Sequence, residues 1–196
     1  MGLSIHYSGA FNPNACLSAM IEEVKDIAEL YKWKYFVFEQ VFPSNGISKN
    51  EYTDDIYGIC FTPPECETVW LSFLSNGRIS SPSHLDFFGK KENQEEQPYL
   101  YMISTKTQYA GIEIHKLIIH LLKYLEGKYL KDLNVTDEGH YWETGDEKLL
   151  EDTFKEYTQL IDHFTSSIEI FPMNPGESYE DYFERLLMHM HNNRKK

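Results

Sequence analysis

Long apolar runs, paired cysteines and an excess of positive charge are all missing from this chain, and each absence removes a class of function. No stretch reaches the ~18 uninterrupted apolar residues that a membrane-spanning helix needs. The opening Met1-Gly2-Leu3-Ser4-Ile5-His6 has neither the basic segment nor the apolar core of a secretory leader, and His6 stands where a myristoylation signal wants Ser or Thr. The three cysteines, Cys16, Cys60 and Cys66, are odd in number and lack a CxxC spacing, which suits free thiols in a reducing compartment. The expectation is a cytoplasmic chain that does not engage a membrane. Lys and Arg number 18 against 31 Asp and Glu, for a formal net charge of −13 and a pI near 5.0. Nucleic acid is therefore not an expected partner, because backbone affinity comes from clustered cations releasing counterions. Also absent are the GxGxxG turn, the GxxxxGK[ST] loop, the GxSxG elbow, a helical HExxH, the EF-hand spacing and any zinc-like Cys/His set. No cofactor is expected, and no motif assigns a reaction.

What is present suffices for a folded core: of 196 residues, 41% are hydrophobic and 15% aromatic, with 14 Tyr and 12 Phe. Leu3, Ile5 and Tyr7 alternate with Ser4, His6 and Ser8, the period of a half-buried strand. Leu17, Met20, Ile21, Val24, Ile27, Ala28 and Tyr31 then line one side of a helix. The nearly continuous apolar run Tyr35 to Phe42 predicts a central strand, followed by strands over Ile56 to Thr62 and Thr68 to Leu74. Asn76-Gly77 suits a tight turn that pairs Arg78 to Ser80 back antiparallel. Gly89 to Pro98 has no apolar residue and reads as loop, Tyr99 to Thr107 as strand, and the segment from Gly111 as the central helix. Leu133 to Thr136 allows a short strand. Thr144 and Glu147 have capping-box spacing before a helix through Ile168, and Ser178 opens a last helix carrying Tyr179, Tyr182, Phe183, Leu186, Leu187 and Met190 on one face. The sum is an α+β fold: a mainly antiparallel sheet of about six strands packed against helices, with a C-terminal helical segment. Residues 1–172 form the expected domain, and 173–196 a helix and basic tail packed on it.

Two polar constellations are the candidates for function. In Asp137 to Asp146, four carboxylates accompany His140 and the adjacent Tyr141 and Trp142, so Glu138 and Glu143 could serve a cation or act as acid and base. The same acids also suit a helix N-terminus on purely architectural grounds. In Ser104 to Gly111, Lys106 and Gln108 lead into the central helix, where backbone amides could cradle an anion, although solvated strand-end polar residues look the same in sequence. His115 lies near the apolar stripe of that helix and His120 on its solvent side; a partly buried histidine is commonly a hydrogen-bonded core residue. The candidate ligand-binding set is thus His6, Lys106, Gln108, His115, Glu138, His140, Tyr141, Trp142 and Glu143. Spacing alone does not say whether these residues converge.

In the phrases Gly2 to Gly9, Thr105 to Gly111 and Asp137 to Asp146, the chain resembles a group of uncharacterised bacterial cytoplasmic proteins, over roughly residues 1 to 170. The resemblance implies a shared fold and transfers no activity, substrate or catalytic residue. Two functional expectations follow from the residues themselves. The first is a non-enzymatic binding protein, immunity-like or regulatory, that offers an acidic C-terminal face to a basic protein partner. The second is a small-ligand binder or metal-assisted enzyme with a polar pocket between sheet and helices. The charge favours the first, because it is regional. Asp137 to Asp181 holds 13 acids and 2 bases, while all other residues hold 18 and 16. The first two-thirds, with 17 acids and 12 bases over residues 1–136, is far less acidic, and bulk charge does not exclude an anionic ligand there.

Overall fold

The computed structural model describes residues 2–43, 47, 52–89 and 96–193. Residues 1–151 make up one compact unit and 152–196 a second. The fold is α+β, with antiparallel strands in two three-stranded sheets. Strand β1 (Ser4–Phe11) is followed by helix α1 (Leu17–Leu30), then by β2 (Lys34–Val37), β3 (Ile56–Thr62) and β4 (Val69–Leu74). Helix α2 (Pro82–Phe88) and a 3-10 turn (Gln97–Tyr101) lead to β5 (Ile103–Lys106), α3 (Ile112–Glu126) and β6 (Leu130–Asp137). The short helix α4 (Tyr141–Thr144) precedes α5 (Glu147–Ile170), and α6 (Tyr179–Asn193) comes last. No helix of the described residues is long and apolar enough to cross a membrane.

The expected single sheet is split in two. One has the order β5-β1-β6 and the other β2-β3-β4. They meet where the Asn76-Gly77 hairpin returns: Phe11 and Ile79 donate backbone N–H groups to Gly77 and Gly9. A buried side chain ties the sheets as well, since the Tyr7 hydroxyl accepts from Trp70 N at 2.9 Å and donates to Trp70 O at 3.1 Å. Burial pushes this phenol well above its ordinary range. The alternation in β1 puts Leu3, Ile5, Tyr7 and Phe11 in the core, where Phe11 meets the Phe73 ring edge-on at 5.3 Å.

Several local expectations change. Tyr35 to Phe42 does not form a central strand: β2 covers only Lys34–Val37 at a sheet edge, with Tyr35 and Phe36 exposed. Its apolar run reflects aromatic pairing, Phe36 edge-on to Phe38 and Phe42 stacked on Tyr57, and not burial on both faces. Pro82 at the first turn, with Ser81 as N-cap, makes a helix where none was expected. Tyr99 to Tyr101 belongs to the 3-10 turn, so β5 is short. Part of the expected loop at Gly89 to Pro98, residues 90–95, lies outside the described residues. Strand β6 is twice the length expected. Asp146, not Thr144, caps α5, its Oδ1 accepting from Lys148 N and Leu149 N.

Candidate functional site

Strand pairing brings the sequence phrases 2–8, 105–107 and 137–138 side by side. Ser4 faces Lys106, His6 faces both Ser104 and Thr136, and Ile5 faces both Thr105 and Asp137. Directly opposed residues share a face, so one surface of this sheet carries Ser4, His6, Ser104, Lys106 and Thr136, and the other carries Ile5, Tyr7, Thr105 and Asp137. The candidate residues are thereby sorted into two layers that cannot share a pocket.

The inner layer is closed. His115 lies fully buried, its Nδ1 2.7 Å from the Thr107 hydroxyl and its Nε2 3.0 Å from Asp137 Oδ1. Thr107 also reaches Leu3 O at 3.3 Å, which joins the chain of polar groups to β1. Asp137 accepts backbone N–H bonds from Gly139 (2.7 Å), Tyr141 (2.7 Å) and Trp142 (3.0 Å). Burial alone would raise this carboxyl. The His115 contact and the donated amides outweigh burial and hold it below the usual carboxylate range. Asp137 thus fixes the turn that follows it. A Cβ at Gly139 would come within 2.6 Å of Leu150 Cδ1 and 3.0 Å of His115 Nε2, so any larger residue there would have to displace the Leu150 side chain and crowd the imidazole. His140, in the left-handed region at φ 60°, then reverses the chain into α4.

The outer layer is open. Glu138 accepts Ser4 N at 2.7 Å and sets its other oxygen 3.6 Å from His6 Nε2, each side chain about two-fifths exposed. Beside this pair, His6, Ser8, Tyr99, Met102, Asn134 and Thr136 line a trough of about 200 Å3. Lys106 extends over the Tyr109 ring at 5.3 Å, and both Lys106 and Gln108 crowd Gly2 so closely that a Cβ there would stand 2.2 Å from each.

The remaining candidates act locally. Tyr141 is buried with its hydroxyl 3.3 Å from His120 Nε2, Trp142 lies under Lys123 at 5.3 Å, and Glu143 reaches back to Asp137 N at 3.5 Å. His140 is exposed. Only His6 and Glu138 of the proposed set form an accessible pair of titratable groups, whereas His115 is sealed away from solvent. The polar chain between sheet and helix is hydrogen-bonded architecture and not the expected pocket. Among the described residues, no cluster of three or more His, Cys, Asp or Glu side chains is placed to hold a metal ion.

Sequence reasoning missed Thr107 and Asp137 as the partners of His115. The alternation that buries Val135 also buries Asp137, and Asp137-Glu138-Gly139 has the form of an Asx turn; those two signals together would have found it. No family model, curated protein or solved structure matches the chain.

Proposed function

We propose that the protein is a non-enzymatic interaction module that docks a basic, amphipathic segment of a partner protein on its C-terminal helical unit. The observation that carries this reading is the division of the apolar residues of α6. Tyr182 and Leu186 are buried, whereas Tyr179, Phe183 and Leu187, spaced four apart, are 75%, 44% and 61% exposed. Residues at that spacing form one stripe on a helix, and Glu180 and Glu184 follow its first two members. An exposed apolar stripe bordered by acids complements a helix with an apolar face and flanking Lys or Arg.

The charge of this unit supports the same partner. Residues 152–196 hold eight carboxylates and five cationic side chains; three of the cations, Arg194, Lys195 and Lys196, end the sequence, so residues 152–193 carry eight carboxylates against Lys155 and Arg185. Arg185 is committed to Glu177 through two 2.7 Å contacts, which leaves seven carboxylates and Lys155. The burial of His115 and Asp137 also speaks for a scaffold role of the polar chain, because no reactant reaches it.

Fluorescence anisotropy of a labelled Leu/Lys amphipathic helical peptide, titrated with the full chain, tests the reading. Binding at low salt that weakens at least tenfold in both F183S/L187S and E180Q/E184Q, and falls as salt rises, supports it. Equal binding of a scrambled peptide, or no loss in either variant, refutes it.

A further inference from the structure

The first unit has a second recess that the functional reading above does not use. A cleft of about 530 Å3 is lined by residues of β1, β6 and the returning hairpin, including Ala10, Arg78, Lys131 and Asp132. The register explains its chemistry. Ala10 is bridged on one side by Arg78 and paired on the other with Lys131, so two cations flank the smallest side chain of the row. None of the ion pairs formed by the described residues, at 4 Å or less, involves either cation.

Arg78 is also held in place. Its guanidinium stacks 3.4 Å above the Tyr101 ring. The backbone N–H of Arg78 donates to Asn76 Oδ1 at 3.0 Å, and Asn76 Nδ2 donates to the Tyr101 hydroxyl at 3.0 Å, so a buried amide positions both the arginine and its aromatic platform. Stacking occupies the face of a guanidinium and leaves its N–H edge to accept an oxyanion in bidentate fashion. Across Ala10, Lys131 supplies a point charge from an exposed side chain.

We propose that this cleft binds a small phosphate monoester, with Arg78 and Lys131 gripping the phosphate from either side of Ala10. Two cations match a phosphate dianion better than a single carboxylate. The volume exceeds what inorganic phosphate needs and suits a metabolite-sized body, for which Phe11, Pro13 and Ile47 offer apolar wall. Asp132 lines the same cleft and opposes the anion. It sits at φ 52°, a conformation that Asn also accepts, so its charge can be removed without backbone strain.

The test is isothermal titration of the full chain with phenyl phosphate at low ionic strength, with phenol as the uncharged control. The expected result is one-to-one binding with a Kd below about 1 mM, no binding of phenol, a loss of at least tenfold in K131Q and in R78Q, and a gain of about threefold in D132N. K131Q changes an exposed side chain, so it decides the matter even where R78Q loses stability with its Tyr101 stack. Absence of saturable binding, or undiminished binding in K131Q, overturns the proposal. Neither result bears on the peptide site of α6.

Discussion

Replacing Asp137 with Asn probes the inner polar chain at its most connected atom pair. The carboxylate is 1% exposed and serves four partners: three backbone N–H groups and His115 Nε2. Asn is nearly isosteric and keeps one carbonyl oxygen, which can still accept from Tyr141 and Trp142. Its amide nitrogen then confronts the Gly139 N–H, donor against donor, and can bond the imidazole only after His115 moves its proton from Nε2 to Nδ1. Hydrogen bonds to a charged acceptor are each worth about 1.5–3 kcal/mol, and stranding one partner of a buried pair costs about 3–5 kcal/mol. These contributions overlap, so the expected loss is about 3–5 kcal/mol, a large share of the ~5–15 kcal/mol typical of a folded domain. At about 2–4 °C per kcal/mol for a chain of this size, the melting temperature falls by about 6–20 °C. Urea unfolding at pH 7, followed by tryptophan fluorescence, reads the change, with Trp142 on the turn itself. A double-mutant cycle with H115Q is expected to give a coupling of about 1–3 kcal/mol. A D137N loss under about 1 kcal/mol, or strict additivity with H115Q, refutes the reasoning.

Two further outcomes follow from the ionisable groups. Cys16 is exposed and its hydrogen bonds from Ser18 and Ala19 lower its thiol pKa, whereas burial pushes the Cys60 thiol up to about 11 and Cys66 up to about 12. Iodoacetamide at neutral pH therefore modifies Cys16 first, as peptide mass spectrometry checks; equal labelling of all three in the folded protein contradicts the burial. Asp137 titrates below its ordinary value despite burial, and Glu177 is brought down to about 2 by its hydrogen bonds to Arg185 and by Asn174 N. Both groups stabilise the fold above the ordinary carboxylate pKa of about 4, and both contributions fade as pH falls through the lowered values. Melting temperature is expected to stay level between about pH 7 and 5 and to drop below about pH 4; a decline already complete at pH 5 counts against these two pairs.

The fold was legible wherever a period was clean. Leu3 to Ser8 and Leu17 to Tyr31 announce their strand and helix because every other or every third to fourth residue is apolar, and the Asn76-Gly77 hairpin forms where its turn residues demand it. Tyr35 to Phe42 misleads because aromatic rings that pack against one another beside a sheet edge write the same letters as a strand buried on both faces. The site was legible in part. Glu138 and His6 meet because β1 pairs with β6, the strand that Glu138 directly follows, but which strands pair is a long-range choice that no local period encodes. The same choice put His115 beneath Asp137 and placed Arg78 and Lys131 on either side of Ala10. On α6, spacing alone cannot say which half of a broad apolar face is covered. The uncovered half, Tyr179, Phe183 and Leu187, is the one on which the interaction reading rests.

The most direct measurement of that reading is the map of 1H–15N chemical-shift changes across the full chain as the basic amphipathic peptide is added. Changes centred on Tyr179 to Met188 and the acids of α5, with the β5-β1-β6 surface silent, are the expected result. Changes centred on His6, Ser104 and Thr136, or none at saturating peptide, contradict it.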